Sequence, residues 1–299
     1  MVRSAQSRLS QVLQTSNIIE SSAAQKRTKP NTEQVPLSQP INLTESSKHD
    51  SKRFLAIIPA RAGSKRLPDK NIKSLCGKPL LAWSIKSALD SKYIDEVVVS
   101  TDSSVYAEIA KDYGANVPFL RPECLASDTT TTFDVLEHCI RFYEQNLQKE
   151  FDYIVLLQPT SPLREAWHIN ESCQKLLDSN ANSLISVCKC EHSPLWSNTL
   201  AEDESMDNFL SPKVLNVRSQ DLPAYYRLNG VIFIAKTKAL LQAKSFFMPH
   251  SIAYKMDTMY SSDIDTPLDF EIASVIKNHI SANVHLRDLT TSVTGGGQN

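Results

Sequence analysis

Short apolar runs, each followed by a stretch with helical spacing, limit what this chain can fold into. The first, Phe54-Leu-Ala-Ile-Ile-Pro59, is apolar at every position. A half-exposed strand alternates, whereas a strand apolar throughout is buried on both faces. The pattern predicts strands over 54–59, 96–100, 117–120, 153–158 and 183–190. Helices are expected over 79–89, 104–113, 132–146 and 165–178, the sheet pattern resumes over 230–235, and a last helix is expected over 267–280. Gly114 stands where a helix C-terminus takes a left-handed residue, and the Thr- and Asp-rich stretch 127–131 can cap the helix after it. Such alternation implies right-handed crossovers and an α/β fold, a mostly parallel doubly wound sheet. Ligands bind such sheets outside the carboxyl ends of the strands.

The flanks read differently. Residues 1–50 contain no glycine and no aromatic residue and are rich in Ser, Gln, Thr and Asn. They cannot bury enough apolar area to offset ordering entropy, so a disordered N-terminal extension is expected. Its basic residues, with only Glu20 among Arg3, Arg8, Lys26 and Arg27, faintly resemble a transit peptide, and the plain extension is the preferred reading. One domain is expected over 53–286, with an irregular insertion at about 191–228 and a flexible tail over 287–299.

Charge and composition exclude whole classes. Lys+Arg is 32 and Asp+Glu is 33, so the basic excess of a nucleic-acid binder is missing. No apolar run approaches the ~20 residues that span a bilayer. Six cysteines without a preceding secretory signal point to free thiols in a reducing, cytoplasmic compartment. Cys188, Cys190 and His192 share a strand-like spacing, but a fourth ligand is missing, so buried thiols are expected instead of zinc. Of 7 glycines, three lie at 295–297; Gly63, Gly77, Gly114 and Gly230 are left for turns that need them.

Two loops fall at the ligand edge. The first, Pro59-Ala-Arg61-Ala-Gly63-Ser64-Lys65-Arg66-Leu-Pro68-Asp-Lys70-Asn71, gathers cations around a Gly-Ser pair. It matches neither a P-loop nor a dinucleotide fingerprint, yet Gly63 lets a phosphate approach the backbone while Arg61 and Lys65 supply charge. The second is Gln158-Pro-Thr160-Ser161-Pro162-Leu-Arg164. Further on, Asp263-Ile-Asp265 sets two carboxylates on one side of an extended segment, as a Mg²⁺ shell shared with phosphates requires; a helix cap is the competing reading. A third segment, Arg218 to Gly230, pairs Arg218 and Arg227 with Gln220 and Asn229, a set suited to an acidic, hydroxyl-bearing ligand.

Taken together, these blocks resemble the acylneuraminate cytidylyltransferase family, the CMP–sialic acid synthetases. The resemblance rests on Ile58-Pro-Ala-Arg61-Ala-Gly-Ser64-Lys65 with Lys70-Asn71, Gly77-Lys78-Pro79, Val99-Ser100-Thr101-Asp102, Arg121-Pro122 with Leu125-Ala126-Ser127-Asp128, Leu157-Gln158-Pro-Thr160-Ser161-Pro162, Asn229-Gly230 and Asp263-Ile264-Asp265, in order across 54–280. It implies a Rossmann-like nucleotidyltransferase fold with a small dimerisation insertion, a homodimer, and transfer of CMP from CTP to a nonulosonic acid with Mg²⁺. By the same resemblance Arg61, Ser64, Lys65, Lys70 and Asn71 would hold phosphates and ribose. Arg121, Thr132 and Gln158 would surround the cytidine, Asp263 and Asp265 would bind metal, and Arg218, Arg227 and Asn229 would face the sugar acid. Arg61, Lys70 and Asp265 would carry the chemistry. Ser219 and Trp196 stand where many members have basic residues, both on the sugar side. Legionaminic, pseudaminic and 3-deoxy-octulosonic acids are alternative acceptors, and a non-catalytic nucleotide-binding paralogue is the reading from another class.

Overall fold

The first apolar run forms β1 (Phe54–Pro59), and every residue but Pro59 is buried. A hairpin, β2 (Ser74–Leu75) and β3 (Lys78–Pro79), leads into α1 (Leu80–Leu89). Then come β4 (Glu96–Ser100), α2 (Ser104–Asp112), α3 (Thr132–Asn146), β5 (Tyr153–Leu156), α4 (Ala166–Ser179), β6 (Ser183–Lys189), β7 (Tyr226–Lys236), α5 (Thr237–Ala243), β8 (Ser251–Met256) and α6 (Pro267–Thr294). The computed structural model describes residues 52–294, so the extension expected over 1–50 and the end of the tail lie outside the described residues.

Six strands form one sheet in the order β4-β1-β5-β7-β6-β8. β7 alone runs against its neighbours; β1 is parallel to β4 and β5, and β6 is parallel to β8. The fold is thus α/β with a mostly parallel sheet. Alternate residues of β1 feed opposite faces, as strand pleat dictates. Phe54, Ala56 and Ile58 pack with Leu81 and Ile85 of α1 and Ile169, Cys173 and Leu176 of α4. Leu55 and Ile57 pack with Leu136, Cys139, Ile140 and Tyr143 of α3 and Leu240 of α5. A third, smaller cluster of Leu67, Leu75, Leu80, Ile264, Phe270 and Ala273 lies beneath the cation loop.

The differences from the sequence pattern have local causes. Residues 117–120 form no strand; a single Val98–Asn116 pairing precedes Pro118, which has no N–H for a ladder. β5 stops at Leu156, two residues short of the expectation, because Pro159 follows Gln158. β7 begins four residues early, at Tyr226, and pairs with β6 across an irregularity between Ile185 and Val187. The pattern missed α5 and β8. α6 continues beyond Ile280 to Thr294, since neither Pro nor Gly interrupts the chain before Gly295. Among the described residues no helix is long and apolar enough to cross a membrane.

Candidate active site

The sheet brings the carboxyl ends of β4, β1, β5 and β6 to one edge, together with the start of the reversed β7. The cation loop leaves β1 there. Ala62 N–H donates to Asp102 Oδ1 at 2.8 Å, and the buried Asn71 amide donates to the Arg61 carbonyl at 3.0 Å. Leu67 is buried in the small cluster below. Gly63 has φ +77°, a left-handed conformation that side chains resist. Asn71 therefore holds the loop together from inside.

Four cations of this loop converge on two carboxylates. Arg61 Nη2 lies 2.7 Å from Asp128 Oδ1, and Lys65 Nζ lies 2.5 Å from Asp128 Oδ2. Lys70 Nζ lies 3.0 Å from Asp265 Oδ1, and Arg66 Nη1 lies 3.3 Å from Asp265 Oδ2. Lys65 and Arg61 hold the Asp128 carboxyl below the usual carboxylate range. The surplus positive charge faces a cavity of about 290 Å³ lined by Arg61, Ser64, Lys65, Lys70, Asp128 and Asp265.

A second cavity, about 220 Å³, shares Arg61 and Asp128 with the first and adds Pro59, Arg121, Thr131 and Thr132. Arg121 is buried; its Nε donates to Ser100 Oγ at 3.0 Å and its Nη2 to the Ser100 carbonyl. Burial lowers its proton affinity. Thr132 opens α3 just after a capping box between Thr131 and Asp134.

Gln158 does not line the cavity of Arg121 and Thr132, where the resemblance put it. Strand order explains this: Arg121 is held at the end of β4 and Gln158 follows β5, with β1 between them. Strands stand ~4.8 Å apart, so the two residues sit about two strand spacings from each other. The Gln158 amide instead lies over Gly230, where an added Cβ would stand 3.9 Å from Oε1.

The Asp263–Asp265 segment is set by the residue between them. Ile264 is fully buried, its N–H donates to the Thr160 carbonyl at 2.9 Å, and its carbonyl accepts from Lys70 Nζ at 2.7 Å. Burying Ile264 turns both aspartates to the other side. Asp263 keeps open surface, yet protein atoms crowd its carboxylate. That desolvation, with the neighbouring Asp265 charge, outweighs the Thr160 hydrogen bond and raises its proton affinity. Two hard oxygen donors with a carboxylate reluctant to stay ionised uncompensated fit a divalent cation shared with substrate phosphates. The helix cap belongs to other residues: Thr266 and Asp269 form the reciprocal bonds that start α6.

The sugar-side candidates are not brought together. Asn229 is buried, and its amide is engaged by Ser186 Oγ, Val231 N–H and Ser261 Oγ, so it orders the start of β7. Arg218 pairs with Asp221 at 2.8 Å, and Arg227 is exposed and donates to the Leu228 carbonyl. Neither reaches the cation loop's cavities. A third cavity of about 300 Å³ opens beside them, between Lys189–Ser193 and Ser219–Tyr225. Sequence reasoning missed Asp102 and Asp128 as anchors of the cation loop. Their signal was a single acid in an otherwise Ser/Thr stretch. Among the described residues no group of three or more His, Cys, Asp or Glu is placed to hold a metal ion, Cys188–His192 included.

Fold and cation edge together define a nucleotide-using α/β enzyme class. The structure is similar to a CMP:2-keto-3-deoxy-manno-octonic acid synthetase complexed with CTP, with a TM-score of 0.56, 17% identity, and coverage of 76% of this chain and 99% of that one. Residues 55–284 match the cytidylyltransferase family, and the chain belongs to it. It is 40% identical over 231 residues to the CMP-N,N'-diacetyllegionaminic acid synthase of Legionella pneumophila, covering 74% of this chain and 94% of that protein. It is also 40% identical over 219 residues to the N-acylneuraminate cytidylyltransferase of Streptococcus agalactiae, where it covers 72% of this chain and 51% of the relative. The chain therefore spans about half the length of that curated relative.

Proposed function

We propose that this chain transfers CMP from CTP to the anomeric hydroxyl of a nonulosonic acid of the sialic type, releasing diphosphate. The observation that carries the reading is the set of four cations from one loop against two carboxylates, which suits a polyphosphate and little else. The names of the relatives support the cytidine and the sugar acid. In this reading the anomeric hydroxyl gives up its proton to water as its oxygen attacks the α-phosphorus of CTP, the bond to the bridging oxygen breaks, and diphosphate takes the negative charge. Such a step is mostly positioning and charge neutralisation. Arg61 stands between the two cavities and meets charge on the α-phosphate, while Lys65 and Lys70 meet that of the departing diphosphate. Asp263 and Asp265 would hold a Mg²⁺ that supplies further neutralisation of the phosphates. We place the enzyme in the cytoplasm as a homodimer. Exposed Leu215, Tyr225, Tyr226 and Leu228 of the 191–228 region support a partner subunit there.

Legionaminic acid is the alternative acceptor, the sugar for which the Legionella pneumophila relative is named. The test is diphosphate release with CTP and Mg²⁺ across N-acetylneuraminic, legionaminic, pseudaminic and 3-deoxy-octulosonic acids. Release is expected with CTP and one of the first two. Comparable turnover with UTP, or with a hexose 1-phosphate as acceptor, would overturn the reading.

A further inference from the structure

Arg164 is the least exposed arginine or lysine among the described residues, at 1%. It closes the loop that begins at Gln158, and its side chain runs beneath that loop. Nη1 donates to the Val231 carbonyl at 2.7 Å, Nη2 to Ser84 Oγ at 2.5 Å, and Nε to Ser87 Oγ at 3.3 Å. Ser84 Oγ passes the link on, donating to the Gln158 carbonyl at 3.2 Å. Ser87 Oγ in turn donates to the Ser84 carbonyl. One guanidinium thus ties α1, the first turn of the Gln158 loop, and β7 next to Gly230.

Its hydrogen-bond partners are neutral. The adjacent carboxylate, Glu165, gives its Oε1 to Lys277 at 2.7 Å, and Lys277 is itself buried. Burial pulls the proton affinity of Arg164 down to about 9, which leaves it cationic at neutral pH. A buried cation among neutral acceptors is a poor device for stability, since an apolar residue of similar size often does as well or better. What the guanidinium adds is a rigid plane with donors in fixed directions. Those directions end on the Ser84 and Ser87 hydroxyls, the Val231 carbonyl and, at a longer 3.5 Å, the Gln158 carbonyl, all around one contact: the Gln158 amide lying over Gly230.

We propose that Arg164 is a positioning residue for the acceptor: through Ser84 and the Val231 carbonyl it holds the Gln158 amide over Gly230, where the amide reads the sugar acid. The inference rests on the proposed transfer to a nonulosonic acid. It assigns Gln158 to the acceptor because Gln158 stands apart from the Arg121–Thr132 cavity. Arg164→Lys keeps the charge but cannot span both helix hydroxyls and the strand carbonyl.

The experiment is a double-mutant cycle of Arg164→Lys with Gln158→Ala, with thermal unfolding recorded for each protein. Kinetics vary CTP and N-acetylneuraminate in turn. Each single variant is expected to raise KM for the sugar acid about tenfold and leave KM for CTP within about twofold. The double variant is expected to be no worse than Gln158→Ala alone, because a positioning residue has nothing left to position. Additive effects, or equal changes in both KM values, would reduce Arg164 to a structural role and overturn the proposal. If Arg164→Lys does not fold, Ser84→Ala enters the same cycle, removing the hydroxyl that relays the guanidinium to the Gln158 carbonyl and leaving only the long direct contact from Nη1 at 3.5 Å. A Gln158→Ala enzyme with unchanged kinetics also overturns the proposal, while CTP-dependent diphosphate release by the wild type would keep the transfer reaction standing.

Discussion

Arg61 and Arg227 lie at the same edge of the sheet and are held in opposite ways. Arg61 is fixed from several sides: its carbonyl by Asn71, its guanidinium by Asp128 and the Ala126 carbonyl, its following N–H by Asp102. Arg227 reaches only the carbonyl of its own neighbour, and Arg218 pairs only with Asp221 three residues on. The cation loop leaves a buried strand and is pinned by a satellite core, whereas 190–225 has two single 3-10 turns, Pro194–Trp196 and Ser219–Asp221. One half of the edge is organised by the chain itself. The other half is held only by contacts between near neighbours in the chain.

The sharpest break in this contrast is Arg61→Ala. Losing a preorganised donor to a developing charge costs about 10²–10³ in rate, so kcat is expected to fall by that much with the fold intact. A variant within a few-fold of wild type would show that the organised half does not bind the reacting phosphate. Next comes Asp265→Asn. The cap of α6 rests on Thr266 and Asp269, so stability is expected to hold while activity drops and the Mg²⁺ titration shifts to higher concentration. Normal rate with an unshifted titration would leave Asp265 as no more than the partner of Lys70.

Arg227→Ala probes the loose half. KM for the sugar acid is expected to rise about tenfold while KM for CTP stays unchanged. Arg227→Lys is expected to recover part of that, because a point charge does not reproduce the fork. A defect confined to CTP would assign the segment to the other substrate.

Much of this edge is legible in the sequence, and the unequal halves explain what is not. β1 and the cation loop are readable because a strand buried on both faces and a cluster of charges are local facts. β8 escapes because it is an edge strand with alternating exposure and only six residues, and α5 because seven residues carry too little periodicity. The placement of Gln158 depends on β1 lying between β4 and β5, and strand order is not written in any one segment. Asp128 becomes an anchor only when 60-odd residues of chain return it to Arg61. Arg164 reads as a loop polar and Asn229 as a ligand-facing residue, yet both are buried, since their hydrogen-bond partners come from distant strands and helices.

The smallest expected effect concerns Asp263. Its folded-state proton affinity is raised, so keeping it ionised at neutral pH opposes folding, and that opposition fades as pH falls below its folded value. Asp263→Asn is therefore expected to raise the melting temperature at neutral pH by ~2–4 °C per kcal/mol regained, with the gain vanishing in acid. A lower melting temperature at neutral pH would show that the carboxylate is better compensated than its crowding implies.

In the proposed reaction the organised half presents the α-phosphorus of CTP for attack and releases the outer two phosphates together. Position-specific labelling tests it directly: CTP carrying label at either the α- or the γ-phosphate is incubated with N-acetylneuraminate and Mg²⁺, and the products are separated. Attack at the α-phosphorus puts α-label in the nucleotide-sugar and γ-label in diphosphate, in equal amounts. γ-Label in a phosphorylated sugar, or as free inorganic phosphate with no labelled nucleotide-sugar, would contradict it.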